Sequence, residues 1–200
     1  MSPSGEAIFK TRSPGKLMLT GEYLALQGAL ALALPVNRYQ SLEVYETDKD
    51  VLEWETWHED TRIFHNTFTL PHFAPIDFHT HPSTLFITSL LKAAFSLNPD
   101  FREPKGFRIR TQMEFDPAWG WGSSSSLIVN TARWTGTDPF ELHRNVSQGS
   151  GYDIAVAFLN SAVLYSNHPF FRIQAYDIDY PFSYHLYLLF LGKKQDIANC

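Results

Sequence analysis

A lysine heading an apolar run, four serines behind two glycines, and an aspartate behind a Gly-Ser-Gly turn are the residues here whose types and spacing could do chemistry. In DPAWGWGSSSSL, residues 116–127, the glycines allow the backbone to approach a ligand closely. A helix starting at Ser123 to Ser125 would then aim the unpaired amides of its first turn at an anion. Serine hydroxyls add hydrogen bonds or a magnesium ligand. Taken alone the stretch also suits a Gly/Ser connector or a plain helix cap. The tryptophans on both sides of Gly120 argue against a solvated linker.

Two further segments carry candidate groups. In SPGKLMLTGEYLALQG, Lys16 follows Pro-Gly at a strand start and Glu22 follows six residues later. Each is, by itself, an ordinary surface lysine or turn carboxylate. In QGSGYDIAVAF, Asp153 opens an apolar helix, where a first-turn aspartate is favoured by the helix dipole alone. Beside a fixed lysine the same carboxylate could accept the proton of an attacking hydroxyl, while the lysine keeps it ionised and offsets charge on a transferred phosphoryl group.

Other motifs fail on their spacing. Neither GWGSSSS nor GSGYD supplies the G-x-S-x-G elbow of a serine hydrolase, so Ser124 is a weak nucleophile candidate. Gly15-Lys16 lacks the earlier glycine of a Walker loop, and Ser125 stands where G-x-G-x-x-G requires its last glycine. His58, His65, His72 and His79 recur every seven residues, with His81 close by. Pro71 and Pro75 break any helix that would align them, and no ligand set is completed.

These groups need positioning elements. GFRIRTQMEF alternates, with Phe107, Ile109, Met113 and Phe115 on one side and Arg108, Arg110, Gln112 and Glu114 on the other, which predicts a half-buried strand. SLEVYE, VLEWETW, AVLYSN, FFRIQAYDI and YHLYLLFLG are read as further strands. Pro82 opens a helix whose Phe86, Leu90, Ala93, Ala94 and Leu97 keep helical spacing up to Asn98-Pro99-Asp100. Asp138-Pro139 caps a second over FELHRNVS. A third begins in the serine run with Leu127, Ile128, Thr131, Ala132 and Thr135 on one face, and a fourth spans 152–160. Without regular βαβ alternation, the class is α+β with a largely antiparallel or mixed sheet.

Bulk properties bound the setting. The 200 residues are 44% hydrophobic and 18% charged, an ordinary globular composition. A net charge of −5 without a basic stripe argues against nucleic acid as a partner. The single Cys200 cannot form an intrachain disulfide, which favours a reducing compartment. No apolar run reaches the roughly 20 residues of a membrane helix, and the first ten residues lack the apolar core of a signal peptide. A cytoplasmic protein without a membrane role is expected.

In this order the three segments resemble the GHMP kinases, named for galactokinase, homoserine kinase, mevalonate kinase and phosphomevalonate kinase. The family's P-G-K-(apolar)-x-G-E-(H/Y) motif is matched by Pro14, Gly15, Lys16, Gly21, Glu22 and Tyr23. Its G-L-G-S-S loop is matched by Gly120, Gly122, Ser123 and Ser124, with Trp121 in the leucine place. The S-G-x-D of its mevalonate-kinase branch is matched by Ser150, Gly151 and Asp153, and GYDIA resembles a bacterial subgroup. The resemblance implies that Gly120, Trp121, Gly122, Ser123, Ser124 and Ser125 wrap the ATP phosphates, with Ser124 and Glu141 as magnesium ligands. It implies Asp153 as catalytic base, Lys16 as its charge partner, and Glu22, Tyr23, Ser150 and Gly151 on the acceptor side. Trp119 and Trp121 would wall the nucleotide pocket. The expected activity is ATP- and Mg2+-dependent phosphorylation of a small metabolite, mevalonate or phosphomevalonate foremost; the alternative is a nucleotide-binding module or fragment without turnover. A homodimer is an admitted assembly. Residues 1–178 would form the N-terminal ATP-binding domain of the family. Residues 179–200 would open a C-terminal α+β domain that is mostly missing, along with the family's third glycine-rich motif.

Overall fold

Strand β2, Ala31–Thr47, is the spine of the molecule, because it is long enough to serve different neighbours at its two ends. The computed structural model describes residues 5–21, 24–77, 81–101, 106–167, 169–177, 187–190 and 192. Along one edge β2 pairs antiparallel with β1, Phe9–Thr20, from Phe9 opposite Val44 to Thr20 opposite Leu32. Its other edge is divided. Gln40–Thr47 pairs antiparallel with β5, Gly106–Met113, and Ala31–Ala33 with β6, Ala162–Ser166.

Outside these lie β3, Val51–His58, parallel to β5, and β4, Thr61–Thr69, antiparallel to β3. β7, Arg172–Tyr176, pairs antiparallel with β6. The order β4-β3-β5-β2-β6-β7, with β1 on β2, makes a mixed and largely antiparallel sheet. Phe107, Ile109 and Met113 are buried on β5 as their alternation predicts, and Phe115 is buried just beyond its end.

Four helices cover the sheet's apolar face: α1, Pro82–Leu97, α2, Ser123–Thr135, and α4, Tyr152–Leu159, pack on the strands, while α3, Pro139–Val146, packs against those three helices. Their starts follow local chemistry. Pro82 and Pro139 occupy first turns, His81 Nδ1 accepts from the Ser83 amide, and Asp138 Oδ1 accepts from the Glu141 amide. The predicted face of α2 is buried, and so is most of the rest of it, since sheet and helices enclose it. Trp134 closes the core edge-on to Phe107 and Phe101, at 5.5 and 5.3 Å between ring centres.

A buried polar chain sets how α2 sits on the strands. Ser13 Oγ donates to Asn130 Oδ1 at 2.8 Å, Asn130 Nδ2 donates to the Gln40 carbonyl at 2.8 Å, and Ser126 Oγ donates to Gln40 Oε1 at 3.0 Å. Burial makes each of these bonds expensive to leave unmade.

The α+β class stands, with three differences from the sequence reading. β1 begins at Phe9, so Lys16 sits past the middle of a strand rather than at its start. The strand expected at SLEVYE extends back to Ala31, and β4 was not separately anticipated. Within YHLYLLFLG, 187–190 are exposed and form no strand, while most of 179–200 lies outside the described residues.

Candidate active site

The site begins with an irregularity in β1. Pro14 pairs with Tyr39 and Lys16 with Pro35, so the register slips around Gly15. A Cβ at Gly15 would lie 2.9 Å from Val36 Cγ2 and 3.1 Å from the Trp121 carbonyl oxygen, a space only glycine fits. The next amide, of Lys16, donates to that Trp121 carbonyl at 2.9 Å. The glycine-serine loop is thereby fastened to the strand that carries the lysine.

Gly122 ends the loop with φ +77° and caps α2 without a side-chain hydrogen bond. The first amide seen bonded back into the loop is that of Ser126, to the Gly122 carbonyl at 3.0 Å. The amides of Ser123, Ser124 and Ser125 therefore form the open positive end of the helix. The serines divide by role: Ser124 is exposed, Ser123 half-buried, Ser125 buried, and Ser126 belongs to the core chain. Ahead of them Asp116 caps the short turn Pro117–Trp119, and Trp119 and Trp121 pack edge-on at 4.8 Å.

Helix α4 brings the acid. Gly151, φ +91°, lets the chain turn into the helix, so Tyr152 and Asp153 fall in its first turn. Lys16 Nζ lies 3.5 Å from Asp153 Oδ2 and donates to the Tyr152 hydroxyl at 2.8 Å. Burial pushes the Lys16 pKa down, but the charge of Asp153 and the Tyr152 contact outweigh it and hold the ammonium above its ordinary value. A Cβ on Gly122 would stand 3.1 Å from Lys16 Cγ and 3.7 Å from Asp153 Oδ2. Helix end, lysine and carboxylate thus meet at one point.

Behind Asp153 lies a supporting group that the sequence did not reveal. The Tyr165 hydroxyl donates to the Ser150 carbonyl and packs under Gly151, where a Cβ would come within 2.9 Å of it. Burial, then the charge of Asp153, raises the Tyr165 pKa to about 12. His143 is buried beside Gly149; burial lowers its pKa, against the opposing pull of Asp153. Nothing in its spacing distinguished His143, but Tyr152 stands next to the candidate aspartate and was the one legible signal.

Of the predicted residues, Lys16, Gly122 and Asp153 converge, with Ser123 and Ser124 on the open first turn and Ser150 and Gly151 in the turn before Asp153. Glu141 stands exposed in the first turn of α3. Glu22 and Tyr23 lie outside the described residues, as does His79. His58 ends β3, His65 lies on β4, and among the described residues no three His, Cys, Asp or Glu side chains gather as a metal site.

No family model matches the sequence, and no curated protein matches it. Solved structures do. Mevalonate kinase of Methanococcus jannaschii superposes with a TM-score of 0.66 at 15% identity, over 88% of this chain and 57% of that one. Phosphomevalonate kinase of Streptococcus pneumoniae, in complex with phosphomevalonate and AMPPNP, gives 0.57 at 20% identity, over 80% and 50%. Galactokinase of Lactococcus lactis, complexed with galactose, gives 0.59 at 15%, over 88% and 50%. The fold is that of the GHMP kinases. This chain spans about half the length of those structures. Within the GHMP fold described here, the glycine-serine loop and helix α2 sit on β1 and β2, with α4 alongside.

Proposed function

We propose that the chain is the nucleotide-binding part of an ATP- and magnesium-dependent small-molecule kinase, with mevalonate or phosphomevalonate as the foremost acceptor. The observation that carries this reading is the meeting of Lys16, Asp153 and the open end of α2 at Gly122. Phosphoryl transfer needs positioned phosphates, charge stabilisation and a proton acceptor, and these groups are of the right kinds.

Gly120 to Ser125 would hold the ATP phosphates, chiefly through the amides of the first helical turn. Asp153 would take the proton of the acceptor hydroxyl as its oxygen bonds to the γ-phosphorus and the bond to the bridging β-γ oxygen breaks, releasing ADP. Lys16 would pair with Asp153 and offset charge on the moving group. Ser150 and Gly151 fix the turn in front of Asp153, and with Glu22 and Tyr23 are assigned to the acceptor side.

Magnesium commonly binds through one or two carboxylates together with substrate phosphates. The exposed Ser124 hydroxyl beside the open amides suits such an arrangement, with Glu141 proposed as the acidic ligand. Bound there, the ion would neutralise charge on the phosphate oxygens.

The deciding experiment measures ADP release with a panel containing mevalonate, phosphomevalonate and galactose, for the native sequence and for Asp153→Ala. Acceptor-dependent release that the variant loses supports the reading; equal release by both sinks the mechanism. Thermal stabilisation by ATP without product would leave a nucleotide-binding module in its place.

A further inference from the structure

The Lys16 ammonium has two anchors on consecutive residues of one helix turn, and only one of them is the acid. Asp153 Oδ2 is 3.5 Å away, a loose contact for an ion pair, whereas the Tyr152 hydroxyl accepts from Nζ at 2.8 Å. Tyr152 is itself fixed: it is 6% exposed and packs with Ala25, Ala31, Ala33, Ala155, Val156, Val163 and Tyr165. A lysine side chain has four freely rotating bonds, so one loose ion pair does not define where its charge sits. A second bond from a buried, immobile phenol does.

We infer that Tyr152 is a positioning residue: its hydroxyl holds the Lys16 ammonium at the point where β1, the end of α2 and Asp153 meet. The role rests on the kinase reading for its catalytic meaning, but the placement itself concerns only Lys16. Consecutive positions of a helix project about 100° apart, so Tyr152 and Asp153 reach one nitrogen from two directions. Gly122 leaves room for the lysine stem on a third side, with Cγ and Cε 3.1 and 3.4 Å from where a Cβ at 122 would stand. The ammonium is thereby set before any nucleotide arrives, which spares the reaction the cost of ordering it.

The test is Tyr152→Phe, which removes one oxygen and keeps the ring. Lysines are labelled with 13C and 15N by incorporation, the Lys16 side-chain resonance is identified by its loss in Lys16→Arg, and its titration is followed by NMR. In the native chain Lys16 should titrate above the surface lysines; in Tyr152→Phe its midpoint should fall toward theirs, with the thermal midpoint little changed. An unmoved Lys16 titration overturns the inference. If the variant does not fold, Tyr152→Met removes the same oxygen while its flexible side chain refills the apolar pocket, and the same downward movement is required. Where the native chain turns over ATP, kcat should fall about tenfold or more, the scale of a lost charged hydrogen bond, with KM for ATP within twofold; an unchanged kcat likewise overturns the inference. A native chain without turnover defeats the kinase reading alone, and the titration still decides the placement.

Discussion

Gly122 faces the Lys16 stem: a Cβ added at 122 would stand 3.1 Å from the lysine's Cγ and 3.4 Å from its Cε. The same residue holds φ +77°, where a side chain costs roughly 1–2 kcal/mol. Gly122→Ala should therefore lower stability by about that amount and displace the lysine from Asp153. Calorimetric titration with ATP should show about a tenfold loss of affinity, because a side chain at 122 disturbs the helix end whose open amides would hold the phosphates.

Two neighbouring serines should separate folding from binding. Ser126→Ala leaves the buried Gln40 Oε1 without its donor and should cost about 1–3 kcal/mol in chemical denaturation. Ser124→Ala, exposed two residues earlier, should leave the denaturation midpoint within experimental scatter but reduce magnesium-dependent nucleotide binding. The opposite pattern would reverse the division of the serine run.

Lys16 predicts an alkaline signature. Its pKa is raised above 10.5 in the folded chain, so the folded state holds this proton more tightly than the unfolded one. The stabilisation is fully present below 10.5 and is lost as pH rises through the higher folded value. The stability gap between the native chain and Lys16→Met should therefore narrow on the alkaline side of 10.5, as measured by urea unfolding at a series of pH values.

His143 predicts the converse at acid pH. Burial lowers its pKa below 6.5, so as pH falls past 6.5 the unfolded chain takes the proton first and the folded state loses stability until the depressed folded value is passed. His143→Gln, which cannot titrate, should flatten that part of the profile. Profiles that coincide would show that the imidazole does not contribute.

Elements with a local cause were legible in the sequence. Pro82, Asp138-Pro139 and the glycines before Ser123 mark helix starts because capping and first-turn chemistry is written in adjacent residues. β5 was visible because its arginines and apolar residues alternate strictly. β1 was obscured because Pro14-Gly15 breaks the alternation where the register slips, and the start of β2 because Ala-Leu repeats read only as an apolar run. In the site, Lys16, the serine loop and Asp153 were found from motif order. The grip of Tyr152, the burial of His143 and the Tyr165 bond to Ser150 arise from tertiary packing that no local pattern encodes.

β2 also fixes when the site can exist. Its hairpin with β1 joins residues close in the chain, whereas its pairing with β6 sets Ala31 against Tyr165. Loop-closure entropy makes such distant pairings late events in folding. Lys16 belongs to the early hairpin and Asp153 to the helix that leads into β6, so their contact is made only when the last of these elements docks. Until α4 and β6 have docked, the lysine has no acid beside it, so this one ion pair reports that both ends of β2 have found their partners.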